Sequence, residues 1–278
     1  MDREATTIEI DLLLEAIFRK YGYDFRDYAR ASLKRRLRHR MSQEKIQSYS
    51  EMQHNLLYNT AFFDRLLESL SVSVTEMFRD PNVYRILRES VIPILNKRPL
   101  LKVWHAGCCT GEEVYSMAIL LHEADLLNRT QIYATDFNQK SLNSAKKSCF
   151  HKSKIRNFSE NYQHSGGTNS LLDYVTMQGD YAYIADSLKT QILFTDHNLA
   201  TDWAFGEMDL IFCRNVLIYF NKTLQSRVVK LFQESLAPAG FICLGHKETL
   251  EFLDSEDKFK EIESNSRIYK VKQYQVNQ

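Results

Sequence analysis

Neither sign of charge prevails in this chain. Its 36 lysines and arginines stand against 35 aspartates and glutamates, a formal net charge of +1 at pH 7, so the molecule as a whole carries no field that would draw nucleic acid or an anionic membrane. Any electrostatic docking must be local. Cysteines number five, an odd count; Cys108 and Cys109 are adjacent and Cys149, Cys213 and Cys243 stand alone. That pattern argues against a disulfide scaffold or a zinc site and fits reduced thiols in the cytosol. Long apolar runs are missing, and the opening MDREATTIEI is acidic and polar where a secretory signal would be basic and then apolar. The expectation is a cytoplasmic protein without membrane insertion and without a metal. Internal repeats and low-complexity tracts are absent too. What is present is ordinary globular material: 278 residues, 44% hydrophobic and 26% charged, enough for about two domains of roughly 150 residues each.

The periodicity divides the chain. From Thr7 to about Lys97 apolar residues recur three and four apart (Leu12, Ala16; Leu33, Leu37, Met41; Phe62, Leu66, Leu70; Val83, Leu87, Val91), the repeat of amphipathic helices. After Pro99 short apolar runs alternate with helical stretches, the sequence form of βα units on a parallel sheet. The spacing predicts domains over 1–97, helical and including an interdomain segment, and 98–278, α/β. Strands are expected at Leu100 to Ala106, Gln131 to Thr135, Gln191 to Phe194, Met208 to Cys213, Gly240 to Gly245 and Arg267 to Val271. The clearest helices are Glu112 to Leu127 and Thr223 to Leu236, the latter ending before Pro238 and Gly240. About 40 residues between Ser148 and Gln191 are too many for one connection. An insertion over about 150–188 is expected, with Gly166 and Gly167 as a breaker and a β-hairpin around Tyr174 to Ile184.

The first βα junction, WHAGCCTGEEVYS, places Gly107 and Gly111 after a buried strand and before a helix. Nucleotide-type ligands lie there, where glycine admits the backbone closely and a helix N-terminus offers free N–H groups. Two glycines four apart also serve plain turn geometry. The full G-x-G-x-x-G spacing is lacking, and Glu112 and Glu113 add negative charge where a pyrophosphate would want none. A cationic or zwitterionic cofactor tolerates them, and S-adenosylmethionine is one. The second strand ends in Asp136, either a ribose ligand or the cap of the following helix. The strand from Met208 runs into Arg214-Asn215-Val216-Leu217-Ile218-Tyr219-Phe220, where polar side chains emerge above the presumed cofactor or merely satisfy local backbone.

These segments together, TEMFRD (Thr75 to Asp80), AGCCTGEEVYS (Ala106 to Ser116), ATDFN (Ala134 to Asn138), FCRNVLIYF (Phe212 to Phe220) and LGHKE (Leu244 to Glu248), resemble the CheR family of chemotaxis receptor methyltransferases over nearly the whole chain. The resemblance implies a class I (Rossmann-like) methyltransferase domain dependent on S-adenosylmethionine, preceded by an all-helical domain and carrying a small inserted β-subdomain. It implies methyl transfer to glutamate side chains of receptors, with S-adenosylhomocysteine as product. Cofactor contacts would fall on Thr75, Arg79, Gly107, Glu113, Asp136, Asn198, Leu199, Asn215 and Val216, while Arg79 and Tyr219 would face the reacting centre. Such a displacement needs little acid–base chemistry, because glutamate is already ionised at pH 7, and His105 and His246 are expected in strands as structural residues. The chain departs from the family pattern at Ser73, at Cys108-Cys109 and at Lys247.

Between Arg26 and Lys45 eight basic residues face two acidic ones, a local net of +6. On a helix Lys34, Arg35 and Arg38 would project opposite the Leu33, Leu37, Met41 stripe, as a solvated face or as a dock for the acidic helical cytoplasmic region of receptors. The Met177 to Leu188 stretch is shorter than in family members that hold a receptor-terminal peptide, so docking without that tether, by a monomer, is expected. A scaffold of the same fold that binds the cofactor without methylating receptors, and a methyltransferase for small molecules or RNA, are the competing readings.

Overall fold

The computed structural model describes residues 3–71, 74–251 and 256–272; Ser73 lies outside them. The chain divides into two compact units, Met1–Val72 with Ile218–Val228, and Ser73–Leu217 with Val229–Gln278.

The first unit holds helices α1 (Arg3–Tyr21), α2 (Arg30–Glu44), α3 (Tyr49–Tyr58) and α4 (Thr60–Leu70). α1 packs on α3 and α2 on α4: Leu33 and Leu37, and Phe62, Leu66 and Leu70, are buried as the periodicity predicts, whereas on α1 the expected Leu12 is exposed and Leu13, Leu14 and Ile17 are buried in its place, facing the buried Met52 and Leu56 side of the unit. Each such side chain contributes about 1.5–3 kcal/mol on burial. Two of the helix starts are capped by side chains, with Ser48 accepting from the Glu51 N–H and Asn59 from the Phe62 N–H.

In the second unit α5 (Pro81–Ile86) continues through a π turn at Leu87–Val91 into α6 (Ile92–Leu95). Pro93 lacks an N–H and its ring would crowd the carbonyl four residues back, so the wider turn just ahead of it relieves the clash. There follow β1 (Leu101–Ala106), α7 (Glu112–Glu123), β2 (Thr130–Asp136), α8 (Gln139–Lys147), β3 (Cys149–His151), α9 (Ile155–His164), β4 (Val175–Gln178), β5 (Tyr181–Ile184), β6 (Ile192–Asp196), β7 (Met208–Cys213), α10 (Lys222–Ser235, whose first residues belong to the other unit), β8 (Leu236–Leu244), β9 (Phe259–Glu261) and β10 (Ile268–Val271). Seven strands form one sheet in the order β6-β2-β1-β7-β8-β10-β9, parallel except for β10, which runs antiparallel to both neighbours. This is the class I methyltransferase-like α/β sheet. Every residue of β7 is buried, as a central parallel strand covered on both faces requires. The strand order reverses between β1 and β7, the position at which α/β sheets open a crevice beyond their carboxyl ends.

The insertion holds a three-stranded antiparallel sheet, β3-β5-β4, and its hairpin turns at Gly179, in the left-handed region at φ 60°. It also holds α9, which the breaker-and-hairpin reading omits although Ile155, Phe158 and Tyr162 are buried on one helical face. β8 begins four residues earlier than the expected Gly240. Its register to β7 jumps from Leu236 opposite Met208 to Phe241 opposite Leu210, and Pro238, which has no N–H for the ladder, lies in that irregular stretch. His246 is not in a strand as expected. It sits exposed in the turn after β8. His105 does lie in β1, buried, and burial, reinforced by the Arg214 charge, pulls its pKa down to about 3, so it is neutral. Among the described residues no helix is long and apolar enough to cross a membrane.

Candidate functional site

Three loops leave the carboxyl ends of β1, β2 and β7 side by side. The first carries Gly107, whose φ of +77° is the left-handed conformation that glycine adopts without strain. Its N–H and that of Cys108 both donate to the Thr135 carbonyl at 2.8 Å, so the loop after β1 folds over the end of β2. A Cβ at Gly107 would lie 2.7 Å from Cγ2 of Val216. The backbone here approaches the β7 loop as closely as the absence of a side chain permits, and two of the sequence-predicted residues are thereby brought together.

Asp136 ends β2. Its Oδ2 accepts from the Cys109 N–H and its Oδ1 from the Asn138 N–H, both at 2.9 Å. The cap of α8 is Asn138, which accepts from Lys140 and Ser141, and not Asp136. That carboxylate instead fixes the glycine loop, and burial raises its pKa against the pull of the backbone N–H donors. The His197 N–H reaches the Asp136 carbonyl at 3.4 Å, which brings the loop after β6 to the same edge. There Asn198 Oδ1 accepts from Ala200, the Asn198 N–H donates to Asp202, and Leu199 is buried.

The paired glutamates that open α7 part company. Glu112 is claimed by Lys154 at 3.1 Å and by the Thr110 hydroxyl at 2.5 Å. Glu113 accepts from Arg214 and from the Tyr84 hydroxyl at 3.4 Å. Burial pushes the Glu113 carboxyl up, and the guanidinium of Arg214 pulls it back. Arg214 itself is fully buried. One of its nitrogens donates to Glu113 and to the Arg79 carbonyl at 2.9 Å, and the other to Asp80. Burial acts to lower its pKa, but the charge of Glu113, with those of other neighbours including Asp80, outweighs that and raises it. The sequence shows Arg214 only as one of the polar residues that follow β7 and does not reveal its partners. The available signal is a charged residue directly after the apolar run Leu210 to Cys213.

Arg214 thereby holds the segment that contains Arg79. Phe78 and Asp80, on either side of it, have φ of 51° and 53°, a conformation that costs a non-glycine residue roughly 1–2 kcal/mol. The turn is kept in place by the Phe78 N–H donating to Ser116 at 2.8 Å, by Asn161 donating to the Met77 carbonyl at 3.1 Å, and by Arg214. The Arg79 guanidinium lies close enough to lower the Glu113 pKa. Thr75 precedes the turn, half-buried, and shares no hydrogen bond with the loop residues.

A second omission is Glu248. Its Oε2 accepts from the Gly245 N–H at 2.6 Å and from the Asn215 N–H at 2.8 Å, clamping the end of β8 to the β7 loop. A side chain at Gly245 would meet Asn215 and Glu248 at 2.7–2.8 Å. Asn215 is left-handed at φ 60°, and its buried Oδ1 has no hydrogen-bond partner among the described residues. An orphaned buried acceptor is costly and calls for a donor. The crevice thus offers the carboxylates of Asp136 and Glu113 and the amide oxygen of Asn215. These acceptors, of which Asn215 Oδ1 has no donor among the described residues, suit the ribose hydroxyls, the amino group and the adenine amine of S-adenosylmethionine, and the two carboxylates would repel a pyrophosphate.

Tyr219 belongs to the first unit. Its carbonyl accepts from the Ala29 N–H at 2.8 Å, and its ring lies against Arg36 of α2. Of the basic residues on and around α2, Arg26 pairs with Asp24 and Glu15, Arg30 with Asp11 and Arg40 with Glu44. Lys34, Arg35 and Arg38 make no ion pair or hydrogen bond among the described residues, and Arg35 and Arg38 are exposed.

Residues 8–71 match the family described as CheR methyltransferase, all-alpha domain, and residues 73–268 the one described as CheR methyltransferase, SAM binding domain. The chain is similar to Cher3 of Pseudomonas putida, with 47% identity over 265 residues that cover 95% of this chain and 97% of that one. It is similar also to the chemotaxis protein methyltransferases of Listeria monocytogenes (29% identity, 84% of this chain and 86% of that one) and Vibrio anguillarum (32% identity, 74% and 75%).

Proposed function

The chain belongs to the CheR methyltransferase family, and we propose that it methylates glutamate side chains of chemoreceptors, giving glutamate methyl esters and S-adenosylhomocysteine. The observation that carries this reading is the set of acceptors gathered where the strand order reverses: Asp136, Glu113 and the orphaned Asn215 oxygen, beside a glycine loop with no room for a side chain. S-adenosylmethionine supplies an electrophilic methyl group on a sulfonium.

In this reading Asp136 receives the ribose hydroxyls, Glu113 the positive amino end, and Asn215 with Val216, Asn198 and Leu199 the base. Gly107 allows the close approach, and Thr75 borders the cofactor from the segment that leads to Arg79. A glutamate carboxylate is ionised at neutral pH, so the protein needs no general base. Its contribution is to hold a carboxylate oxygen in line with the methyl, which is worth several orders of magnitude when the geometry is fixed. Arg79 and Tyr219 supply the charge-assisted hydrogen bonds that orient that carboxylate. Lys34, Arg35 and Arg38 steer the acidic helical region of the receptor, and the protein works as a cytoplasmic monomer without a receptor-terminal tether.

The test is incubation with methyl-labelled S-adenosylmethionine and receptor cytoplasmic fragments, followed by mild base. Volatile labelled methanol reports the ester. Asp136→Ala should abolish cofactor binding in titration, and Arg79→Ala should abolish transfer. Label retained through base treatment, or label on RNA or small molecules alone, would overturn the reading.

A further inference from the structure

Arg36 differs from three other arginines on and just before its helix. Arg26, Arg30 and Arg40 each meet a carboxylate. Arg36, half-buried, meets none among the described residues. One of its nitrogens donates to the Leu70 carbonyl at the end of α4, and its guanidinium carbon stands 4.5 Å from the centroid of the Tyr219 ring. A buried cation without a counter-anion is costly, so an aromatic face and a helix-terminal carbonyl must do the compensating. Burial pulls the Arg36 pKa down and Tyr219 opposes that pull.

The backbone of Tyr219 is fixed by the segment that leads into the same helix. Ala29 donates to the Tyr219 carbonyl and Asn221 to the Asp27 carbonyl, both at 2.8 Å. Tyr28 and Phe220 form the bridge between them, with their rings edge to face at 4.9 Å. The short antiparallel pairing therefore sets where Tyr219 stands, and Arg36, two turns into α2, sets how its ring lies. Lysine could not substitute: only a planar guanidinium can stack on the ring while donating sideways to a carbonyl.

We propose that Arg36 is the positioning residue for Tyr219, holding its ring and placing a fixed cation beside the phenol that receives the substrate carboxylate. The inference rests on the reading of Tyr219 as a group that faces that carboxylate.

The test is steady-state kinetics of receptor methylation for wild type, Arg36→Met, Arg36→Lys, Tyr219→Phe and the double variant Arg36→Met/Tyr219→Phe, with melting curves alongside. Arg36→Met should lower kcat about tenfold, the scale of a desolvated cation–ring contact. Receptor KM and S-adenosylhomocysteine affinity should stay within about twofold, and Arg36→Lys should fall between. The double variant should be no slower than Tyr219→Phe alone. Multiplicative losses in the double variant, or a change confined to receptor KM, would overturn the proposal, the second by making Arg36 one more docking cation. A second arm needs no activity. In a spectrum of Cζ-labelled tyrosines, the Tyr219 resonance, identified by its loss in Tyr219→Phe, should move in Arg36→Met while the melting temperature of Arg36→Lys holds. A stationary resonance overturns the proposal. Absence of methyl ester in wild type with a moved resonance leaves the positioning intact and refutes the substrate reading instead.

Discussion

Replacing Arg214 by methionine should cost the sheet-bearing unit much of its stability at neutral pH and noticeably less in mild acid. The guanidinium is fully buried and serves two carboxylates of different standing. Asp80 is 45% exposed, so its pair is worth at most about 1 kcal/mol, whereas Glu113 is 13% exposed. Removing one partner of such a buried pair costs about 3–5 kcal/mol, because the survivor stays charged and desolvated. At about 2–4 °C per kcal/mol for a unit of this size, the midpoint should drop by roughly 6–20 °C. The pH dependence follows from Glu113. Its pKa in the folded protein is already raised above 4.5 by burial, and loss of the cation raises it further. A carboxyl with a raised folded pKa gives stability that is complete below its unfolded pKa and is lost as pH climbs through the folded one. The deficit of Arg214→Met against wild type should therefore grow from pH 5 to pH 8. A remainder of about 1 kcal/mol, from the donor lost to the Arg79 carbonyl, should not vary. Calorimetry of wild type, Arg214→Met, Glu113→Gln and the double variant across that range is the assay. A deficit equal at both ends, and no relief when Glu113→Gln is added, would refute the reasoning.

Gly107→Ala should weaken S-adenosylhomocysteine binding at least tenfold in titration calorimetry, because the position combines φ of +77° with a 2.7 Å approach to Val216; adding Val216→Ala should restore part of it. Glu248→Ala releases both the Gly245 and Asn215 N–H groups and should lower cofactor affinity by about 1–3 kcal/mol while leaving the first unit's melting unchanged. Reversing Lys34, Arg35 and Arg38 to glutamate should raise receptor KM with a steeper effect at low salt, and leave cofactor affinity untouched, as expected for cations outside any ion pair among the described residues that steer a partner.

The parts of this molecule that can be read in the sequence are those set by neighbours along the chain. β1 and β7 announce themselves as short apolar runs, and the helices of the first unit by their three-and-four spacing. The glycine loop is legible because its residues lie between a strand and a helix. α9 is legible too, since Ile155, Phe158 and Tyr162 recur at helical spacing, although the Gly166-Gly167 pair just beyond it carries the stronger signal, for a turn. β9 is three residues long, with Phe259 its one buried position, and carries no alternation to detect. What the sequence conceals are partners far away along the chain. Arg214 meets Asp80 and Glu113 across 134 and 101 residues, Asn215 meets Glu248 across 33, and Arg36 meets Tyr219 only because the chain returns to the helices. No local pattern encodes such meetings; they exist once the strand order does.

That return has a practical corollary for anyone who would treat the helical part as an exchangeable module. Ile218–Val228 belongs to the same compact unit as the first 72 residues, and Phe220 rests on Tyr28. Swapping only the leading helices between relatives would marry one parent's Tyr28 and Arg36 to the other's Phe220 and Tyr219. A faithful chimera must transplant both stretches together.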